Sequence, residues 1–369
     1  MGIYDDLGVR TLINGSATLT RLGGSIMPPE VLDAMAEAAK SFVEIDDLQE
    51  KVGRRIAEWT GNEAAYISCG AAAGLTLSTA ACIAGTDPEL RLLLPATDGL
   101  KNEIIIHKKG KVNYIFAIRQ AGGVIVEIGD ENGASEDELA AAIGDKTAGL
   151  FYFVNANTDP GQVSLERGIE IAHKHSVPVV VDAAAQIPPI ENLWRFNKAG
   201  ADLVLFSGGK GLRGPQASGL ILGSRSLIDA VVFNSGPRPF IGRPMKTGKE
   251  EIVGLMTAVR IAMDEDQDAT LQSYEEQVAA VISAFSNTPH ITARRNFPSE
   301  AGQPMPRAEL VLEEDALGLK RDELLDRLIE GEPAILLAPS GETGVFINPQ
   351  TLANGEIDTI IARLKEILG

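Results

Sequence analysis

The chain has 369 residues, 44% hydrophobic and 23% charged, an ordinary globular balance whose length calls for two domains or one large α/β domain with an appendage. With 51 acidic against 33 basic residues its formal charge is −18, which argues against a polynucleotide partner, since such binding draws most of its affinity from lysines and arginines set against phosphates. No apolar run approaches the ~18 residues of a spanning helix, and the four histidines and two cysteines (Cys69 and Cys82) show no metal-ligand spacing, so neither a membrane partner nor a protein-built metal site is expected.

The opening "MGIYDDLGVRTLING" lacks the basic-then-apolar layout of a secretory signal, so a cytoplasmic protein is expected, with residues 1–40 as an N-terminal arm. From 41 to 245 short β-branched runs alternate with helical patterns. Strands are predicted at 64–70, 103–107, 123–129, 149–154, 178–184, 201–208 and 217–223. Several are apolar at successive positions, as in strands covered by helices on both faces. Between them, "SEDELAAAIGD" opens on Ser135 in a capping position, and in "SLERGIEIAHKHS" His173 and His175 point away from each other. This alternation predicts an α/β fold, a mainly parallel, doubly wound sheet. From 246 to 369 the pattern changes. Two long helical runs are followed by strands "AELVLEE", "AILLAP" and "VFINP", the helix "RDELLDRLIEG" and a final helix, which together read as a small α+β domain.

In open α/β sheets ligands bind beyond the carboxyl ends of the strands, and three candidates stand at such ends. The turn "SCGAAAGLTL" enters a helix through Gly70, Ala71 and Ala72, small residues that leave backbone N–H groups open to an anion; tight helix packing favours the same composition. Asp182 closes the run "VVV", where a carboxylate needs a partner; alone it reads equally as a helix cap or half of an ion pair. Lys210, one crossover later in "FSGGKGLRG", is either a solvated lysine in a glycine-rich turn or a nucleophile with a depressed pKa. Ser207 precedes it by one turn and could bind the same anion as Gly70. Pyridoxal phosphate needs this set: a lysine for its aldehyde, an aspartate for its ring nitrogen and a cradle for its phosphate.

The segments "INGSATLTRLGGSIMPPEVLDAMAEA", "AEWTGNEAAYISCGAAAGLTL", "VVVDAAAQIPP", "FSGGKGLRGPQASGLILG" and "IGRPMKTGKEEIVGL", with the C-terminal "INPQTLANGEIDTIIARLKEIL", carry a resemblance. The chain resembles the fold-type I pyridoxal-phosphate enzymes, in the branch of bacterial seryl-tRNA selenium transferase and its shorter relatives, the D-glucosaminate-6-phosphate ammonia-lyases. The resemblance implies Lys210 as the cofactor-bonding lysine and Asp182 at the pyridine nitrogen. Ala184 is implied against one face of the ring, and Gly70, Ala71, Ala72 and Ser207 at the phosphate. His107 and Lys111, in "HKKGKVNY", are rival occupants of the ring-stacking position. Asn155 and Asn157 are implied on the ring's hydroxyl side. Such enzymes are homodimers, and "GRPMKTGKE" offers Arg243 or Lys246 to an anionic group of the partner's site. The small domain's carboxylate-binding arginine is replaced here by Ala338 and Pro339.

The reaction implied is a lyase-type elimination that releases ammonia from a hydroxylated amino acid such as a D-glucosaminate-type sugar acid. Racemisation or transamination uses the same residues and stays open. Selenium or sulfur transfer to seryl-tRNA is opposed by the net charge, and a non-catalytic scaffold by the intact Lys210 and Asp182.

Overall fold

A computed structural model describes residues 2–155 and 161–369. The chain divides into two compact units. The large unit comprises Ser25–Asp264 together with Glu300–Gly302; the small unit takes the N-terminal stretch to Gly24, Glu265–Ser299 and Gln303–Gly369.

In the large unit all seven expected strands form one sheet: β1 (Ala64–Ser68), β2 (Glu103–His107), β3 (Val124–Ile128), β4 (Thr147–Phe153), β5 (Val179–Asp182), β6 (Leu203–Ser207) and β7 (Gly219–Gly223). Their order across the sheet is β1-β7-β6-β5-β4-β2-β3. Only β7 runs antiparallel to its neighbours, so the other six all point the same way. Strands apolar at every position are buried on both faces because helices cover both. Side chains alternate between the faces along a strand. Tyr66, Ile104, Ile106, Phe153, Val180 and Leu205 pack on one face with Leu75 and Leu77 of the helix Ala71–Ala84. Ile67, Ile105, Tyr152, Val181, Val204 and Phe206 pack on the other, with Ile56 of Ile45–Thr60 and Leu255 of Lys249–Asp264.

The division between units departs from the sequence reading at two places. The helix Lys249–Asp264, expected beyond a boundary at 245, buries Ile252, Leu255, Ala258 and Val259 in the large core. Gly254 lets it approach Met35, whose Cγ would lie 2.7 Å from an added Cβ. The stretch 1–40 is likewise no single arm. Leu12–Asn14 pairs in parallel with Ala334–Leu336 in the small unit, whereas Val31, on the helix Pro29–Ala38, sits in the large core.

The small unit is α+β. Four antiparallel strands in the order Ala338–Ser340, Gly344–Ile347, Arg307–Leu312 and Ile291–Asn296 pack on the helices Gln267–Phe285, Arg321–Glu330 and Glu356–Leu368 through Phe285, Leu310, Leu324, Val345 and Ile360. No helix among the described residues is long and apolar enough to cross a membrane.

Candidate active site

Asp182, Ser207 and the turn at Gly70, Ala71 and Ala72 come to one edge and one face of the large sheet. Asp182 pairs with Leu205 across β5 and β6 and with Phe153 across β4 and β5. Leu205 and Phe153 belong to the face covered by the helix Ala71–Ala84. Asp182 therefore faces that side, and so does Ser207, two residues beyond Leu205. Ser68, opposite Gly219 as Ser207 is on the other flank, completes the row at the carboxyl edge.

The helix Ala71–Ala84 starts at this edge. Its N-cap, Gly70, has φ +141° with open space where a Cβ would stand, a conformation that glycine alone adopts without strain. The first bond of the helix runs from Gly74 N to Gly70 O (3.0 Å), which leaves the amides of Ala71, Ala72 and Ala73 outside its own ladder. No acidic side chain stands in its first turn, so the positive end of the dipole has no local counter-charge. Buried Ser68 holds the turn in place by donating to Gly70 O (2.9 Å) and Gly219 O (3.3 Å). Among the described residues Ser207 Oγ has no hydrogen-bond partner.

Asp182 is 8% exposed, and its Oδ1 accepts from Ala184 N at 3.0 Å. Burial pushes its pKa up to about 6, against the opposing pull of the Ala184 N–H and the Lys210 charge. Two bonds lock the ends of β5 and β6 together: Ala183 N donates to Leu205 O (2.9 Å) and Ser207 N to Ala184 O (3.1 Å). Lys210 sits half-buried in the turn after β6. Burial pulls its pKa down, and the carboxylates of Asp182 and Glu300 pull it back up.

The glycines around Lys210 are not there for left-handed backbone, since none of Gly208, Gly209 and Gly211 has a positive φ. They allow close approach to the protein itself. A Cβ on Gly211 would lie 2.0 Å from Ile187 O, and one on Gly208 would lie 2.0 Å from Ser218 Oγ. The Lys210 turn is thereby pressed onto the segment that follows Asp182.

Other candidates lie elsewhere. His107 shares the face of Ile105, opposite Asp182, because it is two residues beyond that side chain. It is 5% exposed, edge-on to Tyr152 with ring centroids 5.2 Å apart, and burial lowers its pKa to about 4. Among the described residues its buried Nε2 has no hydrogen-bond partner. It is buried on the face opposite Asp182, against Tyr152. Lys111, the rival, donates to Glu127 Oε1 at 2.8 Å in a surface ion pair. Asn155 Nδ2 donates to Gly110 O (2.9 Å), tying the end of β4 to the loop after β2. Asn157 lies outside the described residues. Arg243, in the short 3-10 turn Arg243–Met245, and Lys246 after it are exposed and form no ion pair among the described residues.

Three residues went unremarked in the sequence. Ser68 supports the cradle. Gln186 Nε2 donates to Val154 O (3.2 Å) and Ala301 O (2.7 Å), fastening residues 300–302 beside the Asp182 segment. Glu300, carried by that loop, acts electrostatically on Lys210. Gln186 stood within the quoted "VVVDAAAQIPP", four residues after Asp182. Glu300 had no sequence signal, being far along the chain in an unpatterned turn.

The chain was compared with known proteins. It is 35% identical to the D-glucosaminate-6-phosphate ammonia lyase of Salmonella typhimurium, over 99% of this chain and 97% of that protein. It is 34% identical to a 5'-C-glycyluridine monooxygenase-decarboxylase of Streptomyces sp, over 99% and 92% respectively. The L-seryl-tRNA(Sec) selenium transferase of Geotalea uraniireducens is more distant, at 25% over 98% and 84%. A solved structure of a D-glucosaminate-6-phosphate ammonia-lyase superposes with a TM-score of 0.88 at 34% identity, covering 100% of this chain and 98% of that one. The family model described as L-seryl-tRNA selenium transferase matches residues 12–275, a stretch that holds the whole seven-stranded sheet with Lys210 and Asp182. The chain belongs to the L-seryl-tRNA selenium transferase family.

Proposed function

We propose that this protein is a pyridoxal-phosphate-dependent lyase that releases ammonia from a hydroxylated amino acid of the D-glucosaminate type. The observation that carries the reading is the convergence of Asp182, Ser207 and the N-terminus of Ala71–Ala84 on one face of one sheet edge, with Lys210 in the next turn. The relative at 35% identity, named a D-glucosaminate-6-phosphate ammonia lyase, supports this reading.

These residues suit the cofactor on chemical grounds. Asp182 is a buried carboxylate with one backbone N–H for company, so a protonated ring nitrogen supplies what it lacks. The amides of Ala71 and Ala72 and the hydroxyl of Ser207 suit a phosphate, with Gly70 allowing it to come close. Ala184, small and next to the Asp182 contact, leaves room for a flat ring. When bound, the cofactor supplies an electron-withdrawing ring that acidifies the bonds to the substrate's Cα. The chain's task is then proton handling. In this reading Lys210, its amine made easier to deprotonate by burial, takes the Cα proton and gives it to the departing Cβ hydroxyl, which leaves as water. Hydrolysis of the dehydrated product yields ammonia and a 2-oxo acid. A chain of −18 charge is a poor partner for tRNA, which weighs against the transferase reading.

The same reading makes the protein a cytoplasmic homodimer, with exposed Arg243 or Lys246 meeting an anionic group in the partner's site; light scattering of the purified protein checks the oligomeric state. The reaction itself is tested with a panel of D- and L-hydroxyamino acids, measuring ammonia and 2-oxo acid. The lyase releases both from at least one, and Lys210→Ala abolishes release. Cα proton exchange without ammonia would point to a racemase, and carbon dioxide release to a decarboxylase.

A further inference from the structure

We propose that Ser25 is a positioning residue for Lys210: its hydroxyl clamps the peptide that carries the lysine and so sets where the amine is aimed. Ser25 Oγ donates to Gly209 O at 3.0 Å, and that carbonyl belongs to the peptide joining Gly209 to Lys210. The two partners are 184 positions apart in the sequence. Within the turn the neighbouring carbonyls are held locally, Gly208 O by Gly214 N (2.8 Å) and Lys210 O by Arg213 N (2.9 Å), while Gly208 N donates to Ser218 O (2.9 Å). Gly209 O lies between those two carbonyls and takes its bond from the start of the large unit.

The need for such a clamp follows from the glycines. A Cβ on Gly209 would lie 2.7 Å from Gln216 Cα, so Gly209, like Gly208 and Gly211, is held to glycine by close approach. Glycines that permit this also leave the peptides beside Lys210 a wide choice of φ and ψ. Rotation of the peptide between Gly209 and Lys210 would swing the Cα–Cβ bond of the lysine and the flexible stem behind its amine. Because that peptide is planar, one hydrogen bond to its carbonyl fixes its orientation. Ser25 is itself anchored from its C-terminal side. Met27 packs against the large core, Pro28 holds φ at −58°, and the helix Pro29–Ala38 buries Val31 in the same core. The inference rests on the reading of Lys210 as the cofactor-bonding lysine.

The test has one arm without cofactor and one with it. In the cofactor-free protein, amide hydrogen exchange of residues 210–214, read by mass spectrometry, reports the bonds donated by Arg213 N and Gly214 N. Ser25→Ala speeds it about fivefold, the weight of one net hydrogen bond, while the strand Leu203–Ser207 exchanges as in wild type. Ser25→Thr, which keeps the hydroxyl, restores slow exchange; Ser25→Val, of the same shape without the hydroxyl, does not. In the second arm pyridoxal phosphate is mixed with the protein, and Lys210 Nζ condenses with its aldehyde, one C=N bond formed and one water lost. The visible band of that product grows in about fivefold more slowly in Ser25→Ala and Ser25→Val, whereas affinity for pyridoxine phosphate, which has no aldehyde to bond, stays within about twofold of wild type. Exchange rates in the two hydroxyl-free variants equal to wild type, or a loss of affinity for both ligands alike, would overturn the assignment. A wild type that forms no visible band with pyridoxal phosphate would instead defeat the lyase reading, and the exchange arm would still decide the clamp.

Discussion

Asp182 should cost the cofactor-free protein stability, and the amount can be worked out. Its pKa in the fold is about 6 against 3.8 for the free side chain, raised mainly by burial. A carboxyl group with a raised folded-state pKa favours the fold when protonated. Stability is therefore greatest below the unfolded value and falls as the pH rises through 3.8 toward 6. The full difference of about two units corresponds to about 3 kcal/mol at neutral pH, of which about 2 kcal/mol appears between pH 4 and pH 8. Asp182→Asn removes the titration while keeping an oxygen to accept from Ala184 N. The assay is urea unfolding of cofactor-free wild type and variant at several pH values, read by tryptophan fluorescence, since Trp59 and Trp194 both lie in the large unit. The variant should gain about 2 kcal/mol on the wild type between pH 4 and pH 8 while losing its affinity for pyridoxal phosphate. A stability difference that stays flat with pH, or that moves against the variant on the alkaline side, refutes the reasoning.

Two further outcomes test the face and turn assignments. His107→Phe should leave pyridoxal-phosphate affinity within about twofold of wild type, because the ring is on the face opposite Asp182, and should raise stability by about 1 kcal/mol by removing an unpartnered buried nitrogen. With its folded-state pKa pulled down to about 4, His107 contributes stability that is complete above 6.5 and lost as the pH falls toward 4, so wild type should lose about 2 kcal/mol relative to the variant between pH 7.5 and pH 5. A collapse of cofactor affinity would reverse the placement. Gly211→Ala forces a Cβ to within 2.0 Å of Ile187 O, so the Lys210 turn must move off the Asp182 segment. A loss of about 2 to 3 kcal/mol by urea unfolding and at least tenfold weaker cofactor binding are expected.

The strands of the large sheet were legible because each is a short apolar run set between helical patterns, and period and composition agree. The positions of Asp182 and Lys210 followed from the same reading, since a polar residue closing such a run stands at a strand's carboxyl end. The unit boundary was not legible. The helices Lys249–Asp264 and Gln267–Phe285 look alike in sequence, and only three-dimensional packing shows that Ile252 and Leu255 enter the large core while Val278 and Val281 enter the small one. The N-terminal pairing of Leu12–Asn14 with Ala334–Leu336 spans almost the whole chain and leaves no local trace.

The same limit explains His107 and Ser25. A histidine closing the apolar run "EIIIH" invites a functional reading as readily as an aspartate closing "VVVD", yet which face each occupies depends on strand register, which neither run specifies. Register places Asp182 with Leu205 and Phe153, beside the helix whose N-terminus is open to an anion, and places His107 with Tyr152, inside the other core. Two strand-end residues in similar sequence settings thus have different physics: the carboxylate stands where a cationic partner relieves its burial, and the imidazole stays neutral among apolar neighbours. Ser25 is the converse case, a serine in an unpatterned stretch that gains significance only because the fold carries its hydroxyl to the carbonyl next to Lys210.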